Sequence, residues 1–218
     1  MRSYGKNWTW KKTATYSQRQ TRLATEWDVR VDVSERLTVD DIVNNVKNHT
    51  DELLYVLVSG VERPDENLVD GAAIQPHVGE PYVVRGNQYG SREHHVHLCI
   101  VLLAPLERRG VLELVRGQRK IGDEYCTPRN PKFAYAGWVL HHAKLAWKLE
   151  GEPDIRYECG TLPMDPMTTD WALKIRSMMK KYECADRVKN RFTHYMDIIT
   201  RGNIEAKIAE LQAQLLNQ

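Results

Sequence analysis

The chain has 218 residues, with 31 Lys and Arg against 29 Asp and Glu and a net charge of +2 at pH 7. That length fits one large domain, or one medium domain with a helical appendage, and the near-balanced charge points to no class of partner by itself. No signal peptide is read at its start and no apolar run approaches the length of a membrane span, so a soluble, intracellular protein is expected.

The distribution of charge says more than its total. The first 25 residues contain no acid but carry Arg2, Lys6, Lys11, Lys12, Arg19 and Arg22, interleaved with Tyr4, Trp8, Trp10 and Tyr16. Cations mixed with aromatic rings suit a nucleic-acid strand, phosphates on the charges and bases on the rings. Residues 1–38 are therefore assigned to a basic, aromatic arm, with Lys11, Lys12 and Arg19 as DNA contacts.

Val39 to Asn48 reads as a short helix, and Leu53 to Gly60 as a central strand. A polar loop is expected from Glu62 to Gly79, then a strand over Pro81–Arg85 and a turn over Gly86–Ser91. The run Glu93-His94-His95-Val96-His97-Leu98-Cys99-Ile100-Val101-Leu102-Leu103 reads as a buried strand, because apolar and β-branched residues surround its histidines. Alternation along a strand puts His95 and His97 on one face, roughly 7 Å apart at Cα. Two imidazoles aimed together out of a sheet can hold one divalent metal.

A helix over Pro105–Arg116 follows, then a short strand over Tyr125–Thr127 stopped by Pro128. Pro131 suits the first turn of a helix running to Leu149, and Ile155–Cys159 reads as a last strand. This order gives an α+β fold with an antiparallel sheet and a helix layer. On the helix after Pro131, Tyr135, Trp138, Val139, His142, Leu145 and Leu149 share an expected core stripe. Gly137, His141, Lys144 and Lys148 share a polar face, with a gap at the glycine where backbone could approach a substrate.

From Thr168 the pattern is helical only. Trp171, Ile175, Met178 and Tyr182 recur at helical spacing, as do Val188, Phe192, Tyr195 and Ile199. Ile204, Ile208, Leu211 and Leu215 then cover barely two heptads, too few for an independent coiled coil. The segment 167–218 is a helical tail and a candidate homo-oligomerisation element, and 39–166 is the main domain. The four cysteines, Cys99, Cys126, Cys159 and Cys184, lack Cys-x-x-Cys spacing and are expected as reduced thiols of a cytosolic or nuclear protein.

In their order along the chain these motifs resemble the HUH endonuclease class, specifically the replication-initiator (Rep) proteins of circular single-stranded DNA viruses, with a bacilladnavirus-like branch as the nearest likeness. Tyr55-Val56-Leu57-Val58-Ser59-Gly60-Val61-Glu62 fits the first motif loosely, and His95-Val96-His97 matches the second. The strand that closes the family pattern resembles Tyr157-Glu158-Cys159-Gly160-Thr161-Leu162-Pro163. The third motif, Tyr-x-x-Lys, departs from the pattern. Its slot falls near His141-His142-Ala143-Lys144, with histidine in place of tyrosine, while a second register, Leu145 to Lys148, offers leucine.

The resemblance implies a ferredoxin-like sheet and a Mg²⁺- or Mn²⁺-dependent enzyme that nicks and rejoins single-stranded DNA at a viral replication origin, starting rolling-circle replication in the host nucleus. A covalent 5′-phospho-protein intermediate would form on Tyr135 or His141, with Lys144 or Lys148 stabilising charge on the phosphate. The family's third metal ligand is often an acid on a neighbouring strand; spacing puts Asn87 or Gln88 there, with Glu93 and Glu80 as further candidates. Lys148 is also a candidate DNA contact. No Gly-x-x-x-x-Gly-Lys-Ser/Thr occurs, so the helicase motor common in such proteins is not expected in this chain. Two other readings stand beside this one: a nucleic-acid-binding module on the same fold without nicking activity, and a metal hydrolase that activates water with His95 and His97.

Overall fold

Trp27, Val29 and Val31 alternate with charged residues, and this period-two pattern makes the first strand, β1 (Ala24–Asp32). The structure, a computed structural model, describes residues 22–64, 93–118 and 125–216. β1 therefore begins the sheet inside the segment that the sequence reading assigned to the arm. The expected contacts Lys11, Lys12 and Arg19, the expected strand over 81–85, the turn over 86–91 and the candidate ligands Glu80, Asn87 and Gln88 lie outside the described residues.

Helix α1 (Val39–Lys47) follows, close to its expected span. Thr38 and Asp41 form a reciprocal cap: Asp41 N–H donates to Thr38 Oγ1 at 3.1 Å, and Thr38 N–H donates to Asp41 Oδ2 at 2.9 Å. Strand β2 (Leu53–Ser59) is buried along nearly its whole length. Strand β3 (His95–Leu106) is longer than expected and runs through Pro105. β2 pairing ends at Leu53↔Leu102, so beyond that point one edge of β3 has no β2 partner and the missing N–H of Pro105 breaks no ladder there. Helix α2 (Arg108–Arg116) consequently starts three residues later than expected and ends at Gly117, whose φ of 65° favours glycine.

Strands β4 (Cys126–Pro128) and β5 (Ile155–Gly160) complete a five-stranded antiparallel sheet in the order β4-β1-β3-β2-β5. One face carries Trp27, Val29, Val31, Val56, Val58, Val96, Leu98 and Ile100. These pack in one cluster with Ile42 and Val46 of α1 and Val111, Leu112 and Val115 of α2. The histidine strand is thus the central strand of the sheet, and its histidines face away from this core.

The remaining helices are α3 (Tyr135–His142), α4 (Thr169–Lys181), α5 (Asp186–Asn190) and α6 (His194–Leu216). α3 is much shorter than the 131–149 helix expected. Its start is set by Asp165, whose carboxylate accepts from Tyr135 N–H and Ala136 N–H at 2.6 and 2.9 Å. Past its end, the backbone at 147–149 is drawn into pairing with Val61–Arg63 (Arg63 N to Trp147 O, 3.0 Å; Leu149 N to Val61 O, 2.9 Å), which a helix cannot provide.

The chain divides into two compact units, 1–129 with 147–161, and 130–146 with 162–218. This differs from the boundary expected at residue 166: α3 groups with the C-terminal helices rather than with the sheet-forming segments. Within that second unit a Cβ on Gly137 would lie 2.0 Å from Met178 Sδ, so the gap reserved for a substrate is filled by a side chain. Val188, Phe192, Tyr195 and Ile199 are buried as their spacing predicts, whereas Ile204, Ile208, Leu211 and Leu215 are exposed.

All four cysteines are free thiols; Cys99, Cys126 and Cys184 are buried and Cys159 is exposed. Burial pushes the Cys99 thiol well up, and the charges of Asp28 and Glu158 add to it, so it stays protonated. Alkylation of the native protein with iodoacetamide should label Cys159 first and leave Cys99 unmodified until denaturant is added, as read by peptide mass spectrometry.

Candidate metal centre

The centre is built by a change of strand register. Val58 pairs with Leu98, and Glu62 pairs with His95, so four steps on one strand oppose three on the other. One extra residue is a β-bulge, and it reverses which side chains face which way. Under strict alternation Glu62 would join Val56 and Val58 on the core face. With the bulge, Val61 joins the core cluster and Glu62 turns to the histidine side.

Four backbone groups at the bulge find partners close by. His97 N–H donates to Ser59 Oγ at 3.0 Å, and the same hydroxyl donates to Gly60 O at 2.8 Å. Gly60 N–H donates to Asp154 O at 3.2 Å, and Val61 N–H to Glu152 Oε2 at 3.0 Å. Burial opposes ionisation of Glu152, but the Arg156 and Val61 hydrogen bonds outweigh it and hold the carboxyl below its ordinary value. Gly60 admits no side chain, because a Cβ there would stand 1.8 Å from Pro153 O.

Three ligand atoms converge on the far side of the bulge. Glu62 Oε2 lies 3.8 Å from His95 Nε2 and 3.5 Å from His97 Nε2, and the three can hold a metal ion. Metal–ligand bonds of about 2.1 Å place neighbouring donors roughly 3–3.5 Å apart, close to this spacing. His95 Nδ1 is 3.0 Å from Glu93 O. A carbonyl only accepts, so Nδ1 carries the proton and Nε2 presents its lone pair to the carboxylate. Glu62 Oε2 is buried and accepts no hydrogen bond. A lone pair of His95 Nε2 facing a buried carboxylate oxygen suits a cation between them.

The other oxygen of Glu62 is held by Lys148, with Nζ 2.7 Å from Oε1 and both side chains almost fully buried. Their backbones form an isolated bridge, so Lys148, Glu62 and His95 stand side by side across three segments. Lys148, a candidate DNA contact in the sequence, is buried and paired with Glu62. It anchors Glu62 so that only Oε2 remains for a metal, and it cancels the ligand charge.

Glu62 is the candidate ligand that the sequence reading missed, having been placed at the start of a polar loop. A His-x-His pair needs a third donor from a neighbouring strand, and Glu62 is the first acid after β2. Glu93, a weighed alternative, contributes its backbone carbonyl to His95, and its own side chain is exposed. Tyr135, His141 and Lys144 belong to the second unit, the candidate metal ligands to the first. Tyr135 opens α3 and is half-buried, and Lys144 lies beyond the end of the helix and is buried rather than displayed on a polar face. The His141 ring packs on His142 and Tyr182, each at 5.2 Å between centroids. Burial, with the nearby Cys184, pushes the Tyr182 phenol up and disfavours its phenolate.

No protein-family model, curated protein or solved structure matches the chain. Among the described residues, no helix is long and apolar enough to cross a membrane.

Two outcomes test this geometry. Glu62→Ala should destabilise the protein by about 3–5 kcal/mol in urea denaturation, because it strands a buried Lys148 charge. Glu62→Ala with Lys148→Met should regain much of that stability without regaining Mn²⁺ affinity. Gly60→Ala should lower Mn²⁺ affinity at least tenfold by calorimetric titration, since the bulge that aims Glu62 cannot close over the Pro153 carbonyl.

Proposed function

We propose that the chain is a metal-dependent nuclease of the HUH class that nicks and rejoins single-stranded DNA at a replication origin. The convergence of His95, His97 and Glu62 on the polar face of an antiparallel sheet carries this reading. The order of the motifs along the chain supports it. Two imidazoles and one carboxylate suit Mn²⁺ better than Mg²⁺, which prefers an all-oxygen shell. A bound ion would act as a Lewis acid on a phosphoryl oxygen. His95 and His97 hold that position from the rigid central strand, and Lys148 fixes the carboxylate beside them. Tyr135 and His141 remain the candidate nucleophiles, for a covalent 5′-phospho-protein link.

One observation favours a second reading. In the family pattern a lysine follows the nucleophilic tyrosine by three residues, and Lys148 stands beside the candidate ligands. Leu145 then occupies the tyrosine's place. A chain so built would bind single-stranded nucleic acid at its metal centre without forming a covalent link.

Labelled single-stranded origin DNA incubated with Mn²⁺ separates the two. A DNA–protein adduct lost in Tyr135→Phe or His141→Ala supports the nicking enzyme, and metal-dependent binding without an adduct supports the module. In the first case His95→Ala with His97→Ala should cut cleavage by ~100-fold or more; full cleavage by that variant would overturn the metal assignment.

A further inference from the structure

On the polar face of the sheet, beside the candidate centre, stands an arginine that forms no ion pair among the described residues. Arg30 of β1 is the cross-strand partner of His97 of β3. Side chains paired in this way stand about 5 Å apart at Cβ on the same face. Trp27, Val29 and Val31 take the core side of β1, so Arg30 falls on the side of the metal ligands.

Among the described residues its guanidinium has no direct partner: it enters no ion pair, and its Nε is buried without a hydrogen-bond acceptor. Asp28 and Asp32 flank it on the same face, two residues to either side, but neither forms an ion pair with it. Glu62 is already engaged by Lys148. A half-buried guanidinium with an idle donor is costly unless an anion completes it. The planar fork of arginine matches two oxygens of a phosphate.

We propose that Arg30 is the phosphate-binding residue of this centre, gripping one oxygen of a nucleic-acid phosphodiester while another oxygen faces the metal position. This rests on the metal reading above and extends it to a stated substrate class. The Glu62–Lys148 pair gives the ligand set no net charge, so a divalent ion bound there keeps its full positive charge. Together with Arg30 it forms a strongly cationic pair, and an anion bridging the two favours the ion as the ion favours the anion.

The test is calorimetric titration of the full chain with Mn²⁺, with and without inorganic phosphate. Phosphate should tighten Mn²⁺ binding by about tenfold in the wild type. Arg30→Gln should bind Mn²⁺ alone at least as tightly as the wild type, since a repelling charge is removed, and lose the phosphate effect, while Arg30→Lys, which keeps the charge, should retain part of it. An equal phosphate effect in Arg30→Gln, or none in the wild type, overturns the assignment of Arg30 and leaves the metal centre standing. A wild-type chain that binds no Mn²⁺ overturns the centre itself and the inference with it.

Discussion

A single added residue between Val58 and Glu62 decides which groups meet on the polar face of the sheet. Without it the sheet would present two histidines and an apolar neighbour, and Glu62 would lie unpaired among core valines at a prohibitive desolvation cost. With it, a carboxylate, two imidazoles and a lysine share one small volume. The rest of the first unit serves that turn. β1 and β2 clamp the histidine strand from both sides, α1 and α2 fill the opposite face, and residues 152–154 supply the acceptors that the bulge would otherwise leave unmet.

The Lys148–Glu62 pair is an unusual feature at a candidate metal site. A buried ion pair contributes little net stability compared with apolar groups of the same shape, so its value lies in geometry. It fixes the rotation of the carboxylate and leaves one oxygen to the ligand position. It also limits affinity for a hard cation, because the acid's charge is already shared. A centre of this kind depends on its anionic partner more than one with several free carboxylates does.

Local pattern carried much of this in the residue string itself. The helix over Val39–Lys47, the strand over Leu53–Ser59 and the shared face of His95 and His97 follow from periodicity and capping alone. β1 was equally readable in Trp27, Val29 and Val31, but it adjoins a basic, aromatic stretch that draws the eye toward a tail. Glu62 was hidden for a physical reason: alternation is the rule by which strand faces are read, and a bulge breaks that rule. The length of α3 was hidden too. Asp165 starts it from 30 residues away and pairing with Val61–Arg63 pre-empts its continuation, and neither leaves a mark on local spacing.

Ser59 gives the fold one more property. Its hydroxyl takes the place of a main-chain carbonyl opposite His97 N–H, so the ladder continues across the irregularity without a gap. The centre is therefore sensitive to chain length in a way it is not sensitive to chemistry. Exchanges among the apolar residues of β2 change packing by increments, but losing one residue from 59–61 would restore even parity and swap the faces of every side chain beyond it. Divergent copies of such a chain should vary freely in these apolar identities while keeping the count of residues between β2 and Glu62 constant.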